Sequence, residues 1–177
     1  MPADLPRRRD RPVPDDPVLP AEDSVDLIAM EEEIFQAETE ELENRERRAS
    51  ELCRAVQRGL IFEDFLDANE IAPGHTIERH VGKEDSHLRE RRLPRASTFT
   101  DFEAAERAIA QVLRDRSREI DVWLAESPTR DGRFTLDLSW TAGRVKGRDG
   151  IISPSSMVRV ILMPTVHGYR LKTAYVM

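Results

Sequence analysis

The apolar period of this chain changes once, at Ser127-Pro128, and that change decides the fold class. Ahead of it, Thr100-Asp101-Phe102-Glu103 reads as a capping box, with Thr100 at the cap and Glu103 reaching back to its amide. The helix it opens is expected to run to about Ala125. Its buried positions are Phe102, Ala105, Ile109, Val112 or Leu113, Ile120, and Trp123 or Leu124, at three- and four-residue spacing. Beyond Pro128 the period is two. Phe134, Leu136, Leu138 and Trp140 alternate with Thr135, Asp137 and Ser139, which predicts a strand with one buried face. Val158 to Met163 is a nearly continuous apolar run, as in a central strand covered on both sides, and Pro164 to Gly168 supplies a turn into a last strand, Gly168 to Met177. Helices followed by antiparallel strands define an α+β class.

The first seventy residues are built differently. Residues 1–22 hold six of the eleven prolines among mixed charges, a composition that predicts a disordered leader. From Ser24 to Arg58 there is no Gly or Pro, Asp23 or Ser24 can cap the start and Gly59 can close the end. That predicts one long helix, or two with a break. Its stripe of Leu27, Met30, Ile34, Ala37, Leu42, Ala49, Leu52 and Val56 is thin, interrupted where Glu38, Glu40, Glu41 and Glu43 crowd together. It suits a solvated helix packed by one edge, or an arm over 24–58 that docks on a protein partner. Leu60 to Ala72 reads as a short amphipathic helix before the Pro73-Gly74 break. The expected organisation is a leader (1–22), an acidic helical arm (23–72) and a C-terminal domain (73–177).

Charge follows the same division. Residues 1–74 carry 9 Lys/Arg against 20 Asp/Glu, and residues 75–177 carry 18 against 14, so an acidic appendage precedes a basic domain. Only the second part is suited to meet a polyanion. A lone cysteine, Cys53, excludes an internal disulfide, and the expected site of action is a reducing cytoplasm. The start has basic residues with no apolar run behind them, and no stretch reaches the roughly eighteen apolar residues of a membrane span. Export, if it occurs, then needs a dedicated secretion system rather than a Sec signal.

The chemistry-bearing residues cluster in the second part. His75-Thr76-Ile77-Glu78-Arg79-His80-Val81-Gly82-Lys83 joins two imidazoles to a loop and a cation, and a short helix, Glu84 to Leu93, then carries Arg89, Arg91 and Arg92. A neutral imidazole can deprotonate a hydroxyl while a guanidinium holds a phosphate beside it. On the last strand, strict alternation puts Tyr169, Leu171, Thr173 and Tyr175 on one face, with Thr173 and Tyr175 roughly 7 Å apart. That spacing suits two hydroxyls on one phosphodiester. A zinc site from His75, His80 and His87 fails on ligand supply, since Cys53 lies far upstream. Gly143 to Gly150 reads as a flexible basic loop, and His87 and His167 as surface or turn residues.

From Gly74 to Met177 the chain resembles the bacterial RNase A-like toxin domain at the C-terminal tips of contact-dependent inhibition proteins and other polymorphic toxins. The features that carry the resemblance are His75 with His80-Val81-Gly82-Lys83, Leu88 with Arg91, Ala96-Ser97-Thr98-Phe99-Thr100-Asp101 leading into an Ala-rich helix, Trp123-Leu124, and Thr173-Ala174-Tyr175. The resemblance implies a pancreatic-ribonuclease-like fold without disulfides, following the helical arm. It implies a catalytic set of His80, Arg91, Thr173 and Tyr175, with neither metal nor cofactor. From the residues themselves, Lys83 reads as a phosphate contact, and His75 as a substrate contact, as the general acid, or as a structural anchor held by a backbone hydrogen bond. The implied reaction is attack of the ribose 2′-hydroxyl on the adjacent phosphorus, with RNA as substrate and an immunity protein as partner. The competing reading is a non-catalytic RNA- or protein-binding module with the same fold and an assembly helix.

Overall fold

A computed structural model describes residues 21–60, 64–126 and 128–177, with side chains from Leu27 onward. Residues 1–20 of the expected leader lie outside the described residues. Helix α1 (Ala21–Gln57) is unbroken and begins ahead of the proposed caps. At its end Gly59 adopts φ +93°, a left-handed conformation that suits glycine, and donates its amide to Val56 O. The chain forms two compact units that meet within this helix, one up to Thr39 and one from Glu40 to Met177. In the first, Leu27, Ile28, Met30, Ile34 and Phe35 are exposed. In the second, Ala49, Leu52, Cys53 and Val56 follow the i, i+3, i+4, i+7 pattern and are buried.

The second unit continues with α2 (Phe65–Asn69), α3 (Thr76–His80), α4 (Asp85–Glu90), β1 (Ala96–Phe99), α5 (Phe102–Asp115) and α6 (Ser117–Ala125). The strands β2 (Gly132–Asp137), β3 (Gly143–Lys146), β4 (Ile152–Ser155), β5 (Met157–Thr165) and β6 (Gly168–Val176) complete it. Two three-stranded antiparallel sheets result, ordered β1-β3-β4 and β2-β5-β6. The α+β class is thus observed.

The core lies between the β2-β5-β6 sheet and helix α5. Val158, Val160 and Leu162 of β5 join Ala105, Ile109, Val112 and Leu113 of α5, with Leu52, Cys53 and Val56 of α1 closing one end. Each fully buried Leu, Ile or Val side chain contributes roughly 1.5–3 kcal/mol relative to exposure. Burial pushes the Cys53 thiol up to about 12, so it stays neutral, facing Asn69 Oδ1 at 3.4 Å.

Three local expectations are corrected. The helix cap is Asp101, whose carboxylate accepts from Ala104 N at 2.7 Å, while Thr100 turns its hydroxyl to Ala142 O. The helix does not run on to Ala125, because at Arg116 the backbone leaves helical geometry as the guanidinium reaches Thr135 O and Glu119. Residues 143–146 are a strand, not a flexible loop: Lys146 is buried and donates to Arg91 O at 2.8 Å.

Candidate active site

The last strand carries the decisive local feature. At the β5–β6 turn Thr165 pairs with Gly168, and Leu162 still pairs with Leu171, but Ile161 pairs with Thr173. Lys172 is therefore an extra residue, a bulge, and residues beyond it change face. Leu171, Ala174 and Val176 lie opposite Leu162, Val160 and Val158 in the core, whereas Thr173 and Tyr175 lie opposite Ile161 and Arg159 on the other face. The expected single face of Tyr169, Leu171, Thr173 and Tyr175 is corrected: the bulge sends the first two to the core and the last two out of it.

That bulge also docks the histidine segment. β6 is an edge strand, and its unpaired backbone groups are taken up by residues 69–76 instead of by another strand. Leu171 N donates to Asn69 Oδ1 at 2.8 Å, His75 N to the bulged Lys172 O at 3.3 Å, and Ala174 N to Thr76 Oγ1 at 3.0 Å. Glu70 accepts from Ile77 N at 2.7 Å, satisfying one free amide of the first turn of α3. The segment is thus helical, not extended, and its two imidazoles approach each other, with ring centroids 6.1 Å apart. His75 Nδ1 faces Pro73 O at 2.9 Å. Gly82, at φ +63°, then turns the chain so that its amide reaches Phe99 O.

His80 sits with its ring centroid 5.7 Å from that of Tyr175 and its Nδ1 3.5 Å from Ser97 O. A carbonyl only accepts, so Nδ1 carries the hydrogen in that contact and Nε2 keeps a free lone pair. Burial is the main reason that the imidazole is pushed down to about 4, opposed by the Ser97 carbonyl and reinforced by Arg91, His75 and Arg79. His80 is therefore neutral at pH 7.

His75, His80, Arg91, Thr173 and Tyr175 line one open cavity of about 410 Å³, set where β1 and β3 meet the outward face of β5 and β6. Of the three neighbouring arginines, Arg89 and Arg92 do not line it. Arg91 Nη1 lies 3.4 Å from Arg79 O. Thr173 is buried, yet its hydroxyl has no hydrogen-bond partner among the described residues. Lys83 is not among the cavity-lining residues; its amide donates to Thr98 Oγ1 and its carbonyl accepts from Arg144.

Two cavity cations escaped the sequence reading, Arg95 and Arg159. Arg159 lies directly across from Tyr175, and its Nε donates to Thr135 Oγ1 at 3.1 Å. A lone arginine inside an apolar strand was the available signal. No acidic side chain lines the cavity. Elsewhere in the unit Arg144 pairs with Asp85, Arg170 with Glu46 and Lys172 with Asp131, while Arg91, Arg95 and Arg159 have no carboxylate partner among the described residues. A cleft lined by no Asp or Glu, whose guanidiniums have no ion-pair partner among the described residues, attracts an anion. Among the described residues no three His, Cys, Asp or Glu side chains gather as metal ligands.

The family model described as the bacterial CdiA-CT RNAse A domain matches residues 74–175. The chain belongs to this family. It is an RNase A-like toxin domain of the contact-dependent inhibition type, and its fold agrees with that assignment. The crystal structure of a CdiA-CT/CdiI complex from Y. kristensenii contains a similar chain, with 27 % identity and a TM-score of 0.55. The likeness covers 59 % of this chain and 99 % of that one. No curated protein matches. Within the CdiA-CT RNase A domain as matched, the cavity's two histidines, Arg91, Thr173 and Tyr175 all fall inside residues 74–175. The helix α1 and Glu46, which pairs with the buried Arg170, lie ahead of it. Among the described residues no helix is long and apolar enough to cross a membrane.

Proposed function

We propose that this toxin is a metal-independent endoribonuclease that cleaves RNA by 2′-hydroxyl transphosphorylation in the His80 cleft. The observation that carries the reading is a neutral, desolvated imidazole sharing one cavity, lined by no Asp or Glu, with Arg91 and a Thr173 hydroxyl that has no hydrogen-bond partner among the described residues. His80 Nε2 takes the 2′-hydroxyl proton, the 2′-oxygen bonds to phosphorus, and the bond to the 5′-oxygen breaks. The products are a 2′,3′-cyclic phosphate and a 5′-hydroxyl. Arg91 donates to the non-bridging oxygens as their charge grows, and Thr173 completes its missing hydrogen bond on the same group. Tyr175 donates to the phosphate beside them. The leaving 5′-oxygen takes its proton from His75, whose ring lies 6.1 Å from that of His80, because an imidazolium is a stronger acid than a phenol. Lys83, outside the cavity lining, serves as a peripheral substrate contact. The acceptor of the first proton and the donor of the second are then different residues, so the two must exchange protons with water between turnovers.

The partner proposed for the toxin is a cognate immunity protein, by analogy with the CdiI chain in the Y. kristensenii complex. An acidic surface on that partner fits a cleft whose guanidiniums lack carboxylates. The cytoplasm of the recipient cell, where RNA is abundant, is the proposed site of action. The test is cleavage of total RNA by the full chain in EDTA, with His80→Ala alongside. A fall of at least about a hundredfold in rate is expected for loss of a general base. Equal rates for the two proteins would remove His80 from that role.

A further inference from the structure

Two cations are buried among the described residues, Arg170 and Lys146. Arg170 faces Glu46, whereas Lys146 has no carboxylate partner among the described residues. Its Nζ donates instead to Arg91 O at 2.8 Å. Arg144, two residues earlier on β3, does have an ion pair, with Asp85. An ammonium taken out of water without a counter-charge is costly, and here its hydrogen bond goes to the backbone of another cationic residue. A need for a donor alone would be met at lower cost by a neutral amide.

The bond falls where α4 gives way to the link into β1. Arg91 caps α4 with extended backbone, at φ −63° and ψ 118°, and its amide reaches back to His87 O at 3.3 Å. Residues 92–95 make no backbone–backbone hydrogen bond among the described residues. The Arg91 carbonyl is thus the last fixed point of this main chain before β1, and a lysine is well suited to satisfy a free carbonyl at a helix end. Lys146 reaches it from outside the cavity, since Val145 lines that space and Lys146 does not. The guanidinium itself has only the long contact to Arg79 O at 3.4 Å, so its direction depends on where its backbone is held.

Resting on the nuclease reading, we propose that Lys146 is a positioning residue for Arg91: its ammonium pins the Arg91 carbonyl and so aims the guanidinium at the scissile phosphate, while touching no substrate itself. A charged donor makes the stronger bond to the carbonyl. The phosphate that Arg91 then holds brings the negative charge that this end of the cleft lacks.

The experiment is a double-mutant cycle on the full chain cleaving a short RNA in EDTA, with Lys146→Met, Arg91→Ala and both together, folding being verified by circular dichroism. Lys146→Met is expected to lower kcat/KM about tenfold, the scale of one charge-assisted hydrogen bond. In the Arg91→Ala background the same change is expected to shift kcat/KM by less than about twofold, because the group it positioned is gone; a general loss of packing would act in both backgrounds. Equal losses with and without Arg91 would overturn the assignment, as would no loss in the parent. If Lys146→Met does not fold, Lys146→Gln, which keeps a neutral donor, takes its place in the cycle under the same criteria. Should the unmodified chain not cleave RNA, the nuclease reading fails separately. In that case, or where Arg91→Ala is too slow to follow, affinity for an all-deoxy oligonucleotide, read by fluorescence anisotropy, completes the cycle. A loss of about tenfold that disappears in Arg91→Ala supports the positioning role, and an equal loss in both backgrounds, or none, overturns it.

Discussion

Arg170 and Thr173 stand three residues apart on the same strand, and both are buried, yet their surroundings are opposite. The Arg170 guanidinium donates to Ile71 O and Ala72 O at 2.9 Å each and faces Glu46 at 3.3 Å. The Thr173 hydroxyl lies at the cleft with no hydrogen-bond partner among the described residues. A buried polar group without a hydrogen bond costs roughly 1–3 kcal/mol, so a fold retains one only where something else offsets that cost. Around Arg170 the molecule supplies two carbonyls and a carboxylate, so that Nε, which makes no hydrogen bond among the described residues, still faces an opposite charge, whereas around Thr173 it supplies nothing. The same contrast separates the ion-paired Arg144 and Lys172 from the unpaired Arg91, Arg95 and Arg159.

The strongest way to break this comparison is at its structural side. Arg170→Met leaves Glu46 and two carbonyls without their cation and is expected to cost about 3–5 kcal/mol in urea unfolding. A loss below about 1 kcal/mol would mean that the clamp is incidental. On the functional side, His80→Ala is expected to lower cleavage by two orders of magnitude or more, about 2.7 kcal/mol in the barrier, while unfolding midpoints stay close to those of the parent. Thr173→Val sharpens the contrast because it keeps the shape and removes the orphan hydroxyl. Cleavage should fall about tenfold while stability holds or rises by up to about 1 kcal/mol. A destabilised, fully active Thr173→Val protein would reverse the assignment of this region.

How much of this was legible follows from the bulge. The strands β5 and β6 and the turn between them can be read from periodicity, and so can the α5 core positions Ala105, Ile109, Val112 and Leu113. A period-two reading, however, carries every residue of β6 on one alternation. One inserted residue, Lys172, has no sequence mark distinguishing it from its neighbours, and it reverses the faces of all that follow. Thr173 and Tyr175 were therefore paired on one face by alternation as well as by the resemblance, while Tyr169 and Leu171 were wrongly placed beside them. The helical form of Thr76–His80 was hidden for a similar reason, since five residues held by Asn69, Glu70 and the edge of β6 depend on tertiary contacts more than on propensity. Arg91, expected from the resemblance, lines the cavity, whereas Arg159 was absorbed into an apolar run. In α1 the stripe was visible throughout, yet of its positions only Ala49, Leu52 and Val56 are buried, together with Ser50 and Cys53, while Leu27, Met30, Ile34 and Leu42 are exposed.

The smallest expected effect concerns pH. In the folded chain His80 is pushed from the ordinary 6.5 down to about 4, so between those values the unfolded chain binds the extra proton. Its contribution to stability is fully present above about pH 6.5 and is lost as pH falls toward 4. In kcat/KM the acid limb belonging to the base should accordingly lie near pH 4, with little change between pH 6 and 7 from this group. An acid limb near 6.5 would show that the imidazole is solvated, as an ordinary surface histidine is.

The most direct measurement is the chemistry of the new ends. Mass spectrometry of a short RNA cleaved by the full chain in EDTA should find a 2′,3′-cyclic phosphate on one fragment and a 5′-hydroxyl on the other. A 3′-hydroxyl with a 5′-phosphate would contradict attack by the ribose 2′-oxygen, and with it the role given to His80.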